Sequence, residues 1–160
     1  MRILSLDQSS AVTGYAVIEN SKYEQSGVLD MRRNHDSENR VKNMMLLVGQ
    51  LIGSKKVDCV VMEDAHQQSN FATFKMLSRI QGAIMYYCYE KEIPFYIMSP
   101  SAWRSALNFE QGKGVKRWKL KQQAIDFVED ACGKTVCDDE ADAICIGFAA
   151  VKNNIFESEG

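Results

Sequence analysis

The sequence predicts a mixed α/β sheet of five strands, the first three antiparallel and the last two parallel, flanked by helices on both faces. Three observations point there. Short aliphatic and β-branched runs stop abruptly at polar clusters, as buried strands do, at Met1 to Leu6, Val57 to Met62 and Phe95 to Met98. Elsewhere the apolar period lengthens to that of amphipathic helices. The first three strand-like runs follow one another directly, which suits an antiparallel meander.

In order, Met1-Arg2-Ile3-Leu4-Ser5-Leu6 is mostly aliphatic and ends at Asp7. The polar turn Gln8-Ser9-Ser10 leads to a second strand, Thr13-Gly14-Tyr15-Ala16-Val17-Ile18, and a third fits Lys22 to Asp30. Val41, Met44, Met45, Val48, Leu51 and Ile52 mark a helix capped near Asp36 or Ser37 and stopped by Gly53. The fourth strand, Val57 to Met62, ends at Glu63. A loop from Asp64 to Asn70 precedes a long helix marked by Phe71, Phe74, Leu77, Ile80, Ile84 and Tyr87, which ends before Pro94. Phe95 to Met98 is the fifth strand and Pro100 to Leu107 a helical turn. A basic segment runs into a helix through Ala124, Phe127 and Val128 that Gly133 ends; the last helix covers Asp138 to Val151, with Asp138 as N-cap.

At 160 residues the chain predicts one domain, residues 1–155, with a short tail at 156–160. A hydrophobic fraction of 46% excludes a disordered chain. No apolar run approaches the ~20 residues of a membrane span, and Asp7 interrupts the N-terminal stretch before it serves as a signal peptide. The expected location is the cytoplasm, with no membrane partner. Cys59, Cys88, Cys132, Cys137 and Cys145 are odd in number, form no CxxC pair and lie mostly in apolar runs. They read as reduced core residues, not as a disulfide frame or a zinc site, since only His35 and His66 could supplement them.

Four acids stand where element ends bring side chains together. Asp7 and Glu63 each end a strand-like run. If those strands are neighbours and parallel, their ends lie one interstrand spacing apart, about 4.8 Å, and open α/β sheets place their sites at such ends. Asp139 and Asp142, three residues apart, share one face of the last helix. A two-metal phosphodiester site holds ions ~3.5 to 4 Å apart to clamp the attacking and leaving oxygens. The four acids therefore read as a magnesium cage, catalytic residues and metal ligands at once. Asp138, Asp139 and Glu140 also have a plainer reading, because a helix N-terminus favours negative charge. Asp142 sits next to apolar residues, where an unpaired acid costs several kcal/mol.

The net charge of -2 conceals a segregation. Setting those four aside from the 21 acids leaves 17 against 19 Lys and Arg. From Gln111 to Ile125 no acid occurs, while Lys113, Lys116, Arg117, Lys119 and Lys121 crowd around Trp118 with Gly112 and Gly114 between them. Such a run is a solvated helix face or, with interleaved glycine and tryptophan, a surface for backbone phosphates.

With these residues the chain resembles the RuvC-type Holliday junction resolvases of the RNase H-like superfamily, and looks like a compact phage-encoded member. Five features carry the resemblance: the strand ending at Asp7, the small-polar turn with Thr13-Gly14, the Val-Val-Met-Glu63 strand end, Gln81-Gly82-Ala83, and Asp139-Glu140-Ala141-Asp142-Ala143 placed 76 residues after Glu63. The resemblance implies a structure-selective, Mg²⁺-dependent endonuclease with two ions per site, Mn²⁺ substituting. It would act as a homodimer making paired nicks in four-way and other branched DNA. Asp7 would bridge both metals, Glu63 would hold one, and Asp139 and Asp142 would close the site. Arg104, Lys113, Lys116, Arg117, Lys119 and Lys121 would meet DNA. His66 stands where cellular members commonly carry an aromatic residue that contacts bases, and it stacks less well; its plainer reading is an exposed loop residue. A phage origin would make the location the host cytoplasm.

Three other readings stay open. Leu6-Asp7-Gln8-Ser9-Ser10 with Thr13-Gly14 also looks like the first phosphate loop of the sugar kinase and actin ATPase superfamily, although no second glycine-rich phosphate loop follows. A ribonuclease H acting on RNA/DNA hybrids would use the same acids. A non-catalytic branch-binding module would have little reason to gather four like charges.

Overall fold

The computed structural model describes residues 1–65 and 70–156. Strands β1 (Arg2–Asp7), β2 (Val12–Glu19) and β3 (Lys22–Asp30) come first, then helix α1 (Ser37–Lys55), strand β4 (Cys59–Glu63), helix α2 (Phe71–Glu90) and strand β5 (Phe95–Met98). Helices α3 (Pro100–Ala106), α4 (Arg117–Cys132) and α5 (Asp138–Lys152) follow. Among the described residues the strands form one five-stranded sheet in the order β3-β2-β1-β4-β5. β1, β2 and β3 pair antiparallel, β4 runs parallel to β1 and β5 parallel to β4. This is the sheet that the sequence predicts.

Side-chain alternation along the central strands requires cover on both faces. Ile3, Cys59 and Val61 join one core with α3, α4 and α5, while Leu4, Leu6, Val60 and Met62 point into the opposite core with α1 and α2. Helix α5 lies on β2 and β1, and its buried alanines, Ala141, Ala143, Ala149 and Ala150, let it come close. At Gly147 an added Cβ would stand 2.7 Å from both Ser5 Oγ and Ile18 Cγ1. Ser5 exploits this closeness: its buried hydroxyl donates to the Ala143 carbonyl at 2.6 Å, which satisfies a polar group that burial would otherwise strand.

Element ends show where local signals suffice. Asp36 caps α1 by accepting from the Glu38 and Asn39 amides, and Gly133 ends α4 in the left-handed region at φ 64°. Gly53, expected to stop α1, does not. The helix continues to Lys55 and closes at Lys56, while Gly49 makes room for Tyr87 of α2, whose ring would lie 3.2 Å from a Cβ built there. Pro100 to Leu107, expected as a helical turn, holds the seven-residue α3, with Ser99 as cap and Pro100 in the first turn. The N-cap of α5 is Cys137, not Asp138; Asp138 pairs instead with Lys121.

All five cysteines are free; Cys59, Cys88 and Cys145 are buried, Cys132 is half-buried and Cys137 is exposed. Phe156, expected to open the tail, packs edge-on against Tyr96 with centroids 5.3 Å apart, and residues 157–160 lie outside the described residues. Among the described residues no helix is long and apolar enough to cross a membrane.

Candidate active site

Strand register brings the first two acids together. Leu6 pairs with Met62 across the parallel β1 and β4, so Asp7 and Glu63 are neighbours at the carboxyl ends. Asp7 shares its strand face with Ile3 and Ser5, and Glu63 shares its face with Cys59 and Val61, so both carboxylates turn towards α5. On the other side of β1, Asp7 pairs with Gly14 of β2. A Cβ at Gly14 would overlap the backbone carbonyl of Asp139, so glycine there lets the first turn of α5 rest on the sheet. Asp7, Glu63, Asp139 and Asp142 line one cleft of about 530 Å³.

The electrostatics of the cleft follow from this crowding. Loss of water raises the Asp7 carboxyl well above its ordinary range, and the charges of Glu63, Asp142 and Asp139 push it further, with Lys121 opposing. Asp142 is pushed up to about 7, first by burial and then by Glu63 and Asp139, against Arg104 and Lys121. Arg104, Arg117 and Lys121 line the same cleft. Among the described residues no three His, Cys, Asp or Glu side chains stand close enough together to hold a metal ion as they are.

Short-range bonds hold the frame. Gln8, 5% exposed, donates through Nε2 to the Glu63 carbonyl at 2.5 Å and so ties the ends of β1 and β4. Its Oε1 is buried with no hydrogen-bond partner among the described residues. Ser9 and Thr13 close the intervening turn, Thr13 Oγ1 donating to the Ser9 carbonyl at 2.9 Å. Gln81 of α2 accepts from the Ala65 amide at 2.7 Å, which anchors the chain as it leaves Glu63. The Glu63 carboxylate accepts from the buried Trp103 indole at 3.0 Å. By their chemistry, the four carboxylates and the Gln8 amide that line this cleft offer the hard oxygen donors that a divalent cation takes.

The basic residues divide. Lys113, Lys116 and Arg117 are exposed, and Trp118 is 65% exposed. Lys119 is engaged with Glu110 at 2.5 Å and Lys121 with Asp138. Gly112 and Gly114 adopt φ of 106° and 95°, so this loop needs glycine at both positions. His66 lies outside the described residues. Gln8 and Trp103 went unrecognised in the sequence, Gln8 because it reads as turn and Trp103 because its partner is 40 residues away.

Residues 3–149 match the family described as "Crossover junction endodeoxyribonuclease RuvC". The chain belongs to the RuvC family. It is 24% identical over 151 residues to a RuvC of Caldicellulosiruptor saccharolyticus, covering 91% of each chain. It is 26% identical over 152 residues to that of Chlorobium phaeovibrioides, covering 86% of this chain and 80% of the relative. Among solved structures, T. thermophilus RuvC in complex with Holliday junction substrate superposes with a TM-score of 0.77 at 15% identity, covering 99% of this chain and 98% of that one. The yeast mitochondrial Holliday junction resolvase Ydc2 superposes at 0.58 and 17% identity, covering 98% and 81%. The RuvC-family fold is the RNase H-like sheet expected above, and this match favours neither a hybrid-specific nuclease, a sugar kinase or actin ATPase, nor a non-catalytic module.

Proposed function

We propose that this chain resolves Holliday junctions, and acts on related branched DNA, by metal-dependent hydrolysis of phosphodiester bonds. The reading rests on one observation: carboxylates from β1, β4 and α5 share a cleft faced by Arg104, Arg117 and Lys121, in a chain of the RuvC family. Asp7, Glu63, Asp139 and Asp142 would hold two Mg²⁺, with Mn²⁺ able to substitute. When bound, the metal supplies an activated water and neutralises charge on the phosphoryl oxygens. The chain's own residues bind and orient. Gln8 keeps the strand ends carrying Asp7 and Glu63 at one spacing. Arg104, whose buried Nε lacks a hydrogen-bond partner among the described residues, is suited to a phosphate oxygen. Arg117, Lys121, Lys119 and the exposed Lys113 and Lys116 extend the basic rim along which a DNA backbone would run. A homodimer would present two such clefts to opposed strands.

The test compares labelled four-way, three-way, flap, linear duplex and RNA/DNA hybrid substrates in Mg²⁺, Mn²⁺ and EDTA, with Asp7→Asn alongside. Paired nicks in the four-way junction are expected in either metal and none in EDTA, and Asp7→Asn should bind the junction without cutting it. Preference for the hybrid, or nicking by Asp7→Asn, would overturn the reading. Sedimentation of the free protein reads the dimer.

A further inference from the structure

The Glu63 carboxylate is not oriented by its strand alone. Its Oε2 accepts from Trp103 Nε1 at 3.0 Å, and Trp103 is fully buried. Edge-on aromatic contacts fix that indole. The Trp103 ring stands 5.9 Å from Phe109, Phe109 stands 5.9 Å from Phe127 of α4, and Phe127 stands 5.7 Å from Phe148 of α5. On the Trp103 ring face lies the Arg104 guanidinium, 4.7 Å from the centroid. Trp103 therefore touches an acid on β4 and a cation of the cleft directly, and reaches α4 and α5 through Phe109. A buried indole N–H needs an acceptor, and a carboxylate crowded by other acids is the group whose charged form such a donor most relieves. Its location is informative for that reason.

We propose that Trp103 is a positioning residue, whose indole N–H holds the Glu63 carboxylate in the orientation that receives a cation in the cleft. This rests on the reading of the four acids as metal ligands. Partners that orient a ligand typically govern metal affinity by ten- to a hundredfold. Trp103 touches no substrate in this scheme. It acts through Glu63, and its ring also carries Arg104.

Trp103→Phe keeps an aromatic ring at this position, smaller than the indole, and removes the N–H. In this variant the Mg²⁺ concentration for half-maximal nicking of a four-way junction should rise about tenfold, and the rise in melting temperature with Mg²⁺ alone should require correspondingly more metal. A purely structural tryptophan would lower the melting temperature and leave both midpoints in place; midpoints within about twofold of the parent overturn the proposal.

A second measurement applies even if that variant fails to fold. Only Trp103 and Trp118 are present, so Trp118→Phe isolates the Trp103 emission. Mg²⁺ alone should change that emission, and adding Glu63→Gln should displace the change to higher metal. An emission indifferent to Mg²⁺ overturns the proposal. Should Glu63→Gln leave Mg²⁺-dependent nicking intact, the metal reading falls and this inference with it. Should Glu63→Gln abolish nicking while Trp103→Phe moves neither midpoint, the role of Trp103 alone is refuted.

Discussion

Gly14 and Asp139 touch through their backbones, so that any side chain at Gly14 would occupy the place of the Asp139 carbonyl. Because Gly14 also pairs with Asp7, the contact that seats α5 on β2 is the one that delivers Asp139 and Asp142 to the strand ends. Two separate sequence motifs, Thr13-Gly14 and Asp139-Glu140-Ala141-Asp142, are thus one joint.

Gly14→Ala should displace the first turn of α5. We expect nicking to fall on the order of a hundredfold, the usual effect of misplacing catalytic groups by about an ångström, with a stability loss of about 1–3 kcal/mol. Single-turnover nicking and urea denaturation measure the two. Parental activity in this variant would mean that α5 is seated by other contacts.

Protonation should be visible in metal-free stability. The folded-state values of Asp7 and Asp142 lie above their ordinary 3.8, that of Asp142 at about 7. From about pH 4 upward the folded chain retains protons that the unfolded chain has lost, so stability should decline as pH rises through this window, the Asp142 share of the decline being complete above about pH 7. Asp30, held down to about 2 by hydrogen bonds from Arg32, acts below that window. Metal requires the deprotonated carboxylates, so Mg²⁺ should raise the melting temperature more at about pH 8 than at about pH 5. A melting temperature that climbs steadily across the window, or an Mg²⁺ effect independent of pH, would contradict this electrostatic picture.

Salt dependence should separate the basic residues. Lys116→Ala and Arg117→Ala should each lower the slope of log K against log salt for junction binding by roughly one unit. Lys119→Ala and Lys121→Ala should do less, because those ammoniums begin paired with Glu110 and Asp138. Equal slopes for all four would mean that the ion pairs do not persist in the complex.

Two helical glycines should respond with opposite signs. At Gly147 a methyl group meets Ser5 and Ile18 at 2.7 Å, so Gly147→Ala should cost about 1–3 kcal/mol. At Gly82, mid-way along α2, nothing lies within 4 Å, so Gly82→Ala should stabilise by about 0.5–1 kcal/mol. Chemical denaturation of both variants decides whether α5 is packed as tightly as the geometry indicates.

The strands, the helices and the four acids at their ends were legible in the residues themselves. Strand and helix periods are local properties of the backbone, and a carboxylate that ends an apolar run announces itself by contrast with its neighbours. Thus β3 occupies the expected Lys22 to Asp30, and Asp36 and Gly133 bound their helices as anticipated. The resemblance of the motifs supplied the fold family, which the match over residues 3–149 bears out. Partnership is another matter. That the Trp103 indole meets Glu63, that Asp138 leaves its cap for Lys121, and that Gly49 admits Tyr87 depend on segments far apart in the chain. No period encodes such pairings, because which donor meets which acceptor is set when helices close on the sheet and each buried polar group must find the partner within reach.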